Sequence, residues 1–345
     1  MRCRLRHDQE VSVAPAVKPD RGLRPKSGCE TAPVPQASLP QLVPPVVAVV
    51  GSTAAGKSDL AVALAQRVGG EVVNGDAMQV YRGMDIGTAK MSESERAGVW
   101  HHLLNLLDVG QPATVAQFQR WARAAIDDCR ARGVIPVLVG GSALYVRAVL
   151  DAFEFPGTDP AVRARLESDL ADVGAAALHA RLGEQDPAAA AAILPSNGRR
   201  IVRALEVGAI TGRPYAAALP PYLYVYDDVR QLGVDVPRPM LDERITRRVR
   251  LMWEAGLVEE VRRLERAGLR EGRTASRALG YAQVLRFLAG ECSEQDALTE
   301  TVRATHRFAR RQDSWFRKDP RITWLAYDDP ALVDKAQRLS TGGAP

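Results

Sequence analysis

The chain has 345 residues, 46% of them apolar and 25% charged, with a formal net charge of +5. Those fractions are ordinary for a soluble globular protein, and no apolar run approaches the roughly 18–20 residues of a membrane helix, which argues against a membrane span and for a cytoplasmic location. The four cysteines, Cys3, Cys29, Cys129 and Cys292, are isolated, so neither a disulfide framework nor a Cys-x-x-Cys zinc site is supported.

Residues 1–45 hold eight of the 22 prolines, seven Lys/Arg and four acids, with no sustained periodicity. They read as a disordered basic, Pro-rich extension, and without an apolar h-region they do not read as a secretory leader. Three of the five net positive charges fall there, so net charge says little about the partners of the remainder. Order is expected to begin at "VVAVV" (46–50), a β-branched run suited to a buried parallel strand. A Gly-rich turn and the helix "SDLAVALAQRV" follow, then a second strand in "GGEVVNGD" that ends near Asp76. "TVAQFQRWARAAIDDCRARG" predicts a helix stopped at Gly133, "VIPVLVGGS" a third strand, and "ALYVRAVL" the helix after it. Repeated strand, Gly turn and helix, with the first Gly turn reading G-x-x-x-x-G-K-S at 51–58, give an α/β class with a parallel sheet flanked by helices, here of the P-loop NTPase-like kind, covering residues 46–156.

The period changes after "FEFPGTDP". Residues 157–219 are Ala- and Arg-rich with helical spacing and read as a helical insertion. "YLYVYDDVRQLGVDVP" returns to the sheet, and the rest of 220–330 reads as C-terminal helices: 239–267, then "SRALGYAQVLRFLAGE", then "SEQDALTETVRATHRFARRQDSWFRKDP". In the last of these Phe308 and Trp315 lie seven apart, one helical face, which the spacing assigns to the core. "ITWLAY" is a candidate last strand, and 331–345 are expected to fray.

Gly51, Ser52, Thr53, Ala54, Ala55, Gly56, Lys57 and Ser58 fit G-x-x-x-x-G-K-[ST] between a strand and a helix. Such a turn aims backbone N–H groups at phosphates, Lys57 adds a cation, and the Ser58 hydroxyl suits a Mg²⁺ ligand. The pattern specifies phosphate without specifying ATP. Asp76 is placed where a P-loop nucleotidase keeps its metal-shell carboxylate, but "VIPVLVGGS" offers no acid and no water-activating apparatus is evident. Transfer of something other than a phosphoryl group is favoured. A small-molecule kinase and a non-catalytic RNA binder remain as alternatives.

Eight motifs in order, "GSTAAGKS", "GDAMQVYRGMDIGTAK", "HHLLNLLD", "VLVGGSALYVRAVL", "DPAVRARL", "GRRIVRALEV", "RALGYAQ" and "RRQDSWFRKD", resemble the bacterial tRNA dimethylallyltransferases, also called tRNA isopentenyltransferases, over about residues 46–325. The resemblance implies transfer of a dimethylallyl group from dimethylallyl diphosphate to N6 of adenosine 37 in tRNAs reading codons that begin with U. The P-loop would hold the donor's diphosphate with Mg²⁺, the cofactor this likeness carries. Asp76 matches the general base, Thr53 the threonine near the donor and the reacting amine, and Arg277 an arginine reaching the diphosphate. Asp76, Ala77, Met78 and Gln79 match the segment that recognises the base, and Ser142 stands where threonine is usual. The target base would be turned out of an anticodon stem-loop, where flipping costs least.

Arg163, Arg199, Arg200 and Arg203 match tRNA-contacting positions of the insertion, and Arg303, Arg307, Arg310, Arg311, Arg317 and Lys318 are further candidates for the RNA backbone. His101 and His102 are adjacent, a poor arrangement for one metal, and no site is assigned to them. The chain departs from the family pattern at Asn105, usually an acid, and at Ala282, often Arg. Expected partners are tRNA, through its anticodon stem-loop, and dimethylallyl diphosphate, with no membrane and a monomeric protein.

Overall fold

The computed structural model describes residues 43–215 and 220–342. The expected extension lies outside them, apart from residues 43–45. At the centre is β1 (Val46–Val50), all five residues fully buried. With β2 (Glu71–Asn74), β3 (His101–His102), β4 (Pro136–Gly140), β5 (Val229–Asp235) and β6 (Ile322–Ala326) it forms one sheet in the order β3-β2-β4-β1-β5-β6. Every pairing is parallel. All strands therefore deliver their carboxyl ends to one edge, where ligands of open α/β sheets bind.

The helices are α1 (Lys57–Val68), α2 (Val115–Ala131), α3 (Ala143–Leu150), α4 (Pro160–Gln185), α5 (Pro187–Ala192), α6 (Gly198–Thr211), α7 (Arg238–Glu254), α8 (Leu257–Arg266), α9 (Tyr281–Leu288), α10 (Glu294–Phe316) and α11 (Leu332–Ser340). No helix among the described residues is long and apolar enough to cross a membrane. Their ends follow local chemistry. Thr114 caps α2 by accepting the Gln117 N–H, the chain turns left-handed at Gly133 (φ 73°), and Ser293 and Asp296 form a capping box on α10.

The pleat of β1 separates two cores. Val47 and Val49 pack with Leu60, Ala61 and Leu64 of α1, Leu241 and Ile245 of α7, and Ala336 of α11. Val46, Ala48 and Val50 face the layer built from α2, α3, α8 and α9. Helix α10 contributes Ala309 to the first core and Phe316 to the second, so it spans both layers. Its buried face is Ala297, Thr301, Ala304, Ala309, Gln312 and Phe316. The core face read from Phe308 and Trp315 is therefore corrected: Phe308 is half-buried beneath Arg311, and Trp315 is 42% exposed. Spacing fixed which residues share a face, but not which face turns inward.

The C-terminal end is also corrected. Where fraying was expected, α11 packs on α1, with Ala336 and Ser340 fully buried and Arg67 paired to Asp334. Between α3 and β5 the chain forms α4, interrupted at Gly174 (φ 79°), then α5 and α6, around a third core that includes Leu166, Leu178, Leu182 and Ile201.

A charge holds this insertion together. Glu206 of α6 is completely buried and receives Arg163 of α4 and Arg203 of its own helix. Arg203 also donates to the carbonyls of Pro156 (2.6 Å) and Gly157 (3.1 Å), which fastens the entry of the insertion to α6. Losing the acid would leave two guanidinium groups facing each other with only the more distant Glu167, 3.9 Å from Arg163, as counter-charge. Glu206→Ala is expected to lower unfolding free energy by about 3 kcal/mol, measured by urea titration; a change under about 0.5 kcal/mol, the range of inert surface substitutions, would remove this role.

Candidate active site

Three turns meet at the carboxyl edge, after β1, β2 and β4. In the first, Gly51 (φ 135°), Ala54 (φ 63°) and Gly56 (φ 94°) take positive φ among residues of ordinary backbone, so that successive N–H groups converge as in an anion nest. Helix α1 starts directly after Gly56 and adds its amino end to the same field. The cavity in front is about 250 Å³ and is lined by Lys57, Ser58, Asp59, Lys90, Glu95 and Arg248 among others. Lys57 lies inside it and donates to the Ser52 carbonyl at 2.6 Å. Burial and the nearby Arg248 push the Lys57 ammonium down to about 7. Lys57, Lys90 and Arg248 outnumber Asp59 and Glu95 in one small space, a setting that favours an anionic occupant.

The second turn follows β2. Its backbone approaches the end of β4 so closely that a Cβ at Gly75 would lie 2.8 Å from the Val139 carbonyl, and one at Gly140 2.8 Å from the Gly75 carbonyl. Only glycine at both positions lets the two turns touch. Asn74 brackets what comes next: its Oδ1 accepts the Asp76 N–H at 2.9 Å, and its Nδ2 donates to the carbonyls of Asp76 and Leu103. The Asp76 Oδ1 accepts the Met78 N–H at 2.7 Å. Burial raises the Asp76 carboxyl above its ordinary value, while the Met78 N–H and the Lys57 cation pull the other way. The cradle and the carboxylate are thus electrostatic neighbours.

Residues 75–100 contain no helix or regular strand yet are held by polar contacts. Gln79 donates to the Thr88 carbonyl at 3.1 Å, Ala77 is buried and Met78 packs on the core. Glu260 of α8, only 3% exposed, accepts the N–H groups of Asp85, Ile86 and Gly87 and the Tyr281 hydroxyl (2.5 Å). Lys90 donates to the Tyr81 carbonyl, Asp85 Oδ1 and Asn105 Oδ1, the last two at 2.7 Å. The amide at Asn105 holds Lys90 without adding a charge, so Asp85 is the one carboxylate hydrogen-bonded to it.

Ser142, at the third turn, is the N-cap residue of α3 but its hydroxyl makes no capping bond. Thr53 is half-buried in the first turn, and its N–H is held by Gln312. Arg277 is exposed in a 3-10 turn (Ala275–Arg277) and does not line the cavity; Arg248 of α7 does. Arg163 and Arg203 serve Glu206, and Arg199 and Arg200 are exposed on the first turn of α6. The sequence reading missed Arg248, Lys90, Glu260 and Gln312. Only Glu260 gave a usable signal, a carboxylate on the apolar stripe of Leu257, Val261 and Leu264.

Ser58 lines the cavity with its hydroxyl unengaged by other described residues, and a hydroxyl beside a diphosphate is the hard-oxygen set that Mg²⁺ prefers. A second donor cluster lies elsewhere, at the start of β2. There Glu71, His102 and Cys129 come within 4.8 Å of one another. Arg132 holds both oxygens of Glu71 (2.8 and 2.6 Å), so the cluster is a closed ion pair.

A family-wide sequence pattern described as IPP transferase matches residues 79–319, more than half of the chain. The chain belongs to the IPP transferase family. It is 66% identical over 299 residues to the tRNA dimethylallyltransferase of Thermobifida fusca, covering 85% of this chain and 93% of the relative. Its fold matches the crystal structure of a full-length tRNA isopentenylpyrophosphate transferase from Bacillus halodurans, with a TM-score of 0.63, 39% identity and 86% and 95% of the two chains covered. A eukaryotic dimethylallyltransferase captured acting on tRNA is also similar, with a TM-score of 0.73, 26% identity and 84% and 76% covered. Relatives in this family carry the names expected from the eight motifs.

Proposed function

We propose that this protein transfers a dimethylallyl group from dimethylallyl diphosphate to N6 of adenosine 37 in tRNAs that read codons beginning with U. One observation carries the reading: an anion nest with Lys57, Lys90 and Arg248 opens beside the half-buried Asp76 carboxylate, with no acid at the end of β4 to activate water. The backbone N–H groups of Gly51 to Ser58, with Lys57, Lys90 and Arg248, bind the donor's diphosphate. Ser58 would hold Mg²⁺, which when bound neutralises charge on the leaving group.

In the transfer, the new bond joins the donor's allylic C1 to the adenine N6, the C1–O bond to diphosphate breaks, and pyrophosphate leaves with the electron pair. The amine sheds one proton as it becomes bonded to carbon, and Asp76 accepts it. Desolvation favours the protonated form of Asp76, which makes its carboxylate a better proton acceptor than an ordinary one. Growing charge on the diphosphate meets donors already in place, so little reorganisation is needed. The turned-out adenine enters past Asp76, Ala77, Met78 and Gln79 with Ser142 across the channel, Thr53 lying between donor and amine. Arg199 and Arg200 face the RNA from the insertion, Arg163 and Arg203 hold α6 in place through Glu206 beside them, and Arg277 lies on the helical side.

The test is to supply Mg²⁺, dimethylallyl diphosphate and an anticodon stem-loop with A36-A37-A38, then weigh the RNA. One added isoprene unit per hairpin is expected, with ATP giving none; phosphoryl transfer from ATP to an acceptor would establish a kinase instead. RNA affinity should also fall steeply with salt, because each phosphate contact releases counterions, and a flat response between about 50 and 200 mM would take the arginines off the RNA.

A further inference from the structure

Gln312 is a buried amide in an otherwise Arg-rich stretch of α10, and it touches two of the three turns at once. Its Oε1 accepts the Thr53 N–H at 2.9 Å, and its Nε2 donates to the Gly141 carbonyl at 2.7 Å. One helical turn earlier the Ser52 hydroxyl donates to the Ala309 carbonyl at 3.2 Å, so α10 meets the P-loop at two successive points. Gly141 is shaped around this contact: a Cβ there would sit 2.6 Å from Gln312 Nε2.

The Thr53 N–H and the Ser52 carbonyl belong to one peptide unit, which is planar and turns as a body. The N–H end is fixed by Gln312, and the carbonyl end is the acceptor of Lys57. Rotation of that plane would release both. Resting on the prenyl-transfer reading above, we infer that Gln312 is a positioning residue: it sets the Ser52–Thr53 peptide, and through it the Lys57 ammonium, in register with the Gly141–Ser142 turn. The amide offers an acceptor to one turn and a donor to the other while adding no charge beside the anion. A carboxylate in its place would keep the first bond and repel the Gly141 carbonyl; an apolar side chain would keep neither.

The experiment compares wild type with Gln312→Leu, Gln312→Glu and Gly141→Ala, reading melting temperature, inorganic pyrophosphate affinity by calorimetry, hairpin RNA affinity, and kcat and KM. The leucine variant is expected to bind pyrophosphate about tenfold more weakly, since a buried N–H loses its acceptor, with hairpin affinity within about twofold because RNA binding is dominated by phosphate contacts elsewhere. The glutamate variant, isosteric and so least prone to misfold, should lose more. Gly141→Ala should reproduce the loss, since its Cβ would crowd Gln312 Nε2 at 2.6 Å and meet the Gly51 carbonyl only at an ordinary 3.4 Å, and it should cost little more when Gln312→Leu is already present, a non-additivity that marks one shared contact. A purely architectural glutamine would lower the melting temperature and leave pyrophosphate affinity unchanged, or weaken pyrophosphate and RNA equally; either result overturns the inference. Wild-type protein that binds pyrophosphate but prenylates no hairpin would sink the parent reading alone.

Discussion

Asp76→Asn is expected to slow single-turnover transfer by about 1,000-fold, within the usual range for a lost general base, while hairpin affinity stays within about twofold. Asparagine can still accept the Met78 N–H, so the turn after β2 should survive. The stability signature is the more discriminating half. Burial raises the Asp76 carboxyl, so ionised Asp76 is a cost to the native state, and protein stability falls as pH rises past the ordinary carboxylate range. Removing that charge should therefore raise the melting temperature at neutral pH, with the gain vanishing in acid, where the wild-type carboxyl is protonated in both states. Loss of activity coupled to a gain in stability is the mark of a strained functional group. An Asp76→Asn enzyme with more than a tenth of wild-type turnover, or one destabilised at neutral pH, would take the base role away from this residue.

Lys57→Ala should weaken pyrophosphate binding by about 100-fold, as for the loss of a preorganised oxyanion donor. Its pH dependence separates charge from shape. With the ammonium pushed down to about 7 by its protein surroundings, a growing fraction of Lys57 is neutral above that pH. An incoming diphosphate restores the charge, so binding takes up a proton and affinity drops as pH rises from 7. The ratio of wild-type to Lys57→Ala affinity isolates this effect, since titration of pyrophosphate itself cancels. The ratio is expected to fall steadily above pH 7, and calorimetry in buffers of different ionisation enthalpy should report proton uptake. A ratio constant from pH 6 to 9 would mean that Lys57 is fully charged throughout.

Much of the fold was legible because parallel sheets write themselves plainly. β1 and β4 are short apolar runs that open into Gly turns, and each is followed by a helix, α1 with a left-handed stop at Gly69. What the sequence hid depended on partners. β3 is two histidines whose pairing is imposed by Val72 and Val73 of β2, and nothing in their own residue types favours a strand. α11 is a short helix near the end of the chain whose apolar stripe, Leu332, Val333, Ala336 and Leu339, docks on the α1 layer and is tied down by the Arg67–Asp334 pair. In the site, the P-loop and Asp76 were readable because backbone geometry demands a fixed spacing. Arg248 was not, because Arg244, Arg247, Arg248 and Arg250 share one stretch of α7, and only packing decides which one meets the cavity. Gln312 was hidden for a related reason: the apolar face of α10 was read one position off, from Phe308 and Trp315, so a buried amide on the true face looked like surface.

The central claim is that the cavity around Lys57 grips the diphosphate of a prenyl donor while Asp76 takes a proton from an adenine amine. The most direct measurement follows pyrophosphate release and RNA mass together, using one hairpin with adenosine at the target position and a second with inosine, which lacks the N6 amine. Release matched one-for-one by prenylated RNA, with adenosine alone, is the predicted result. Pyrophosphate released equally with inosine, or ATP consumed while the adenosine hairpin keeps its mass, would contradict the account.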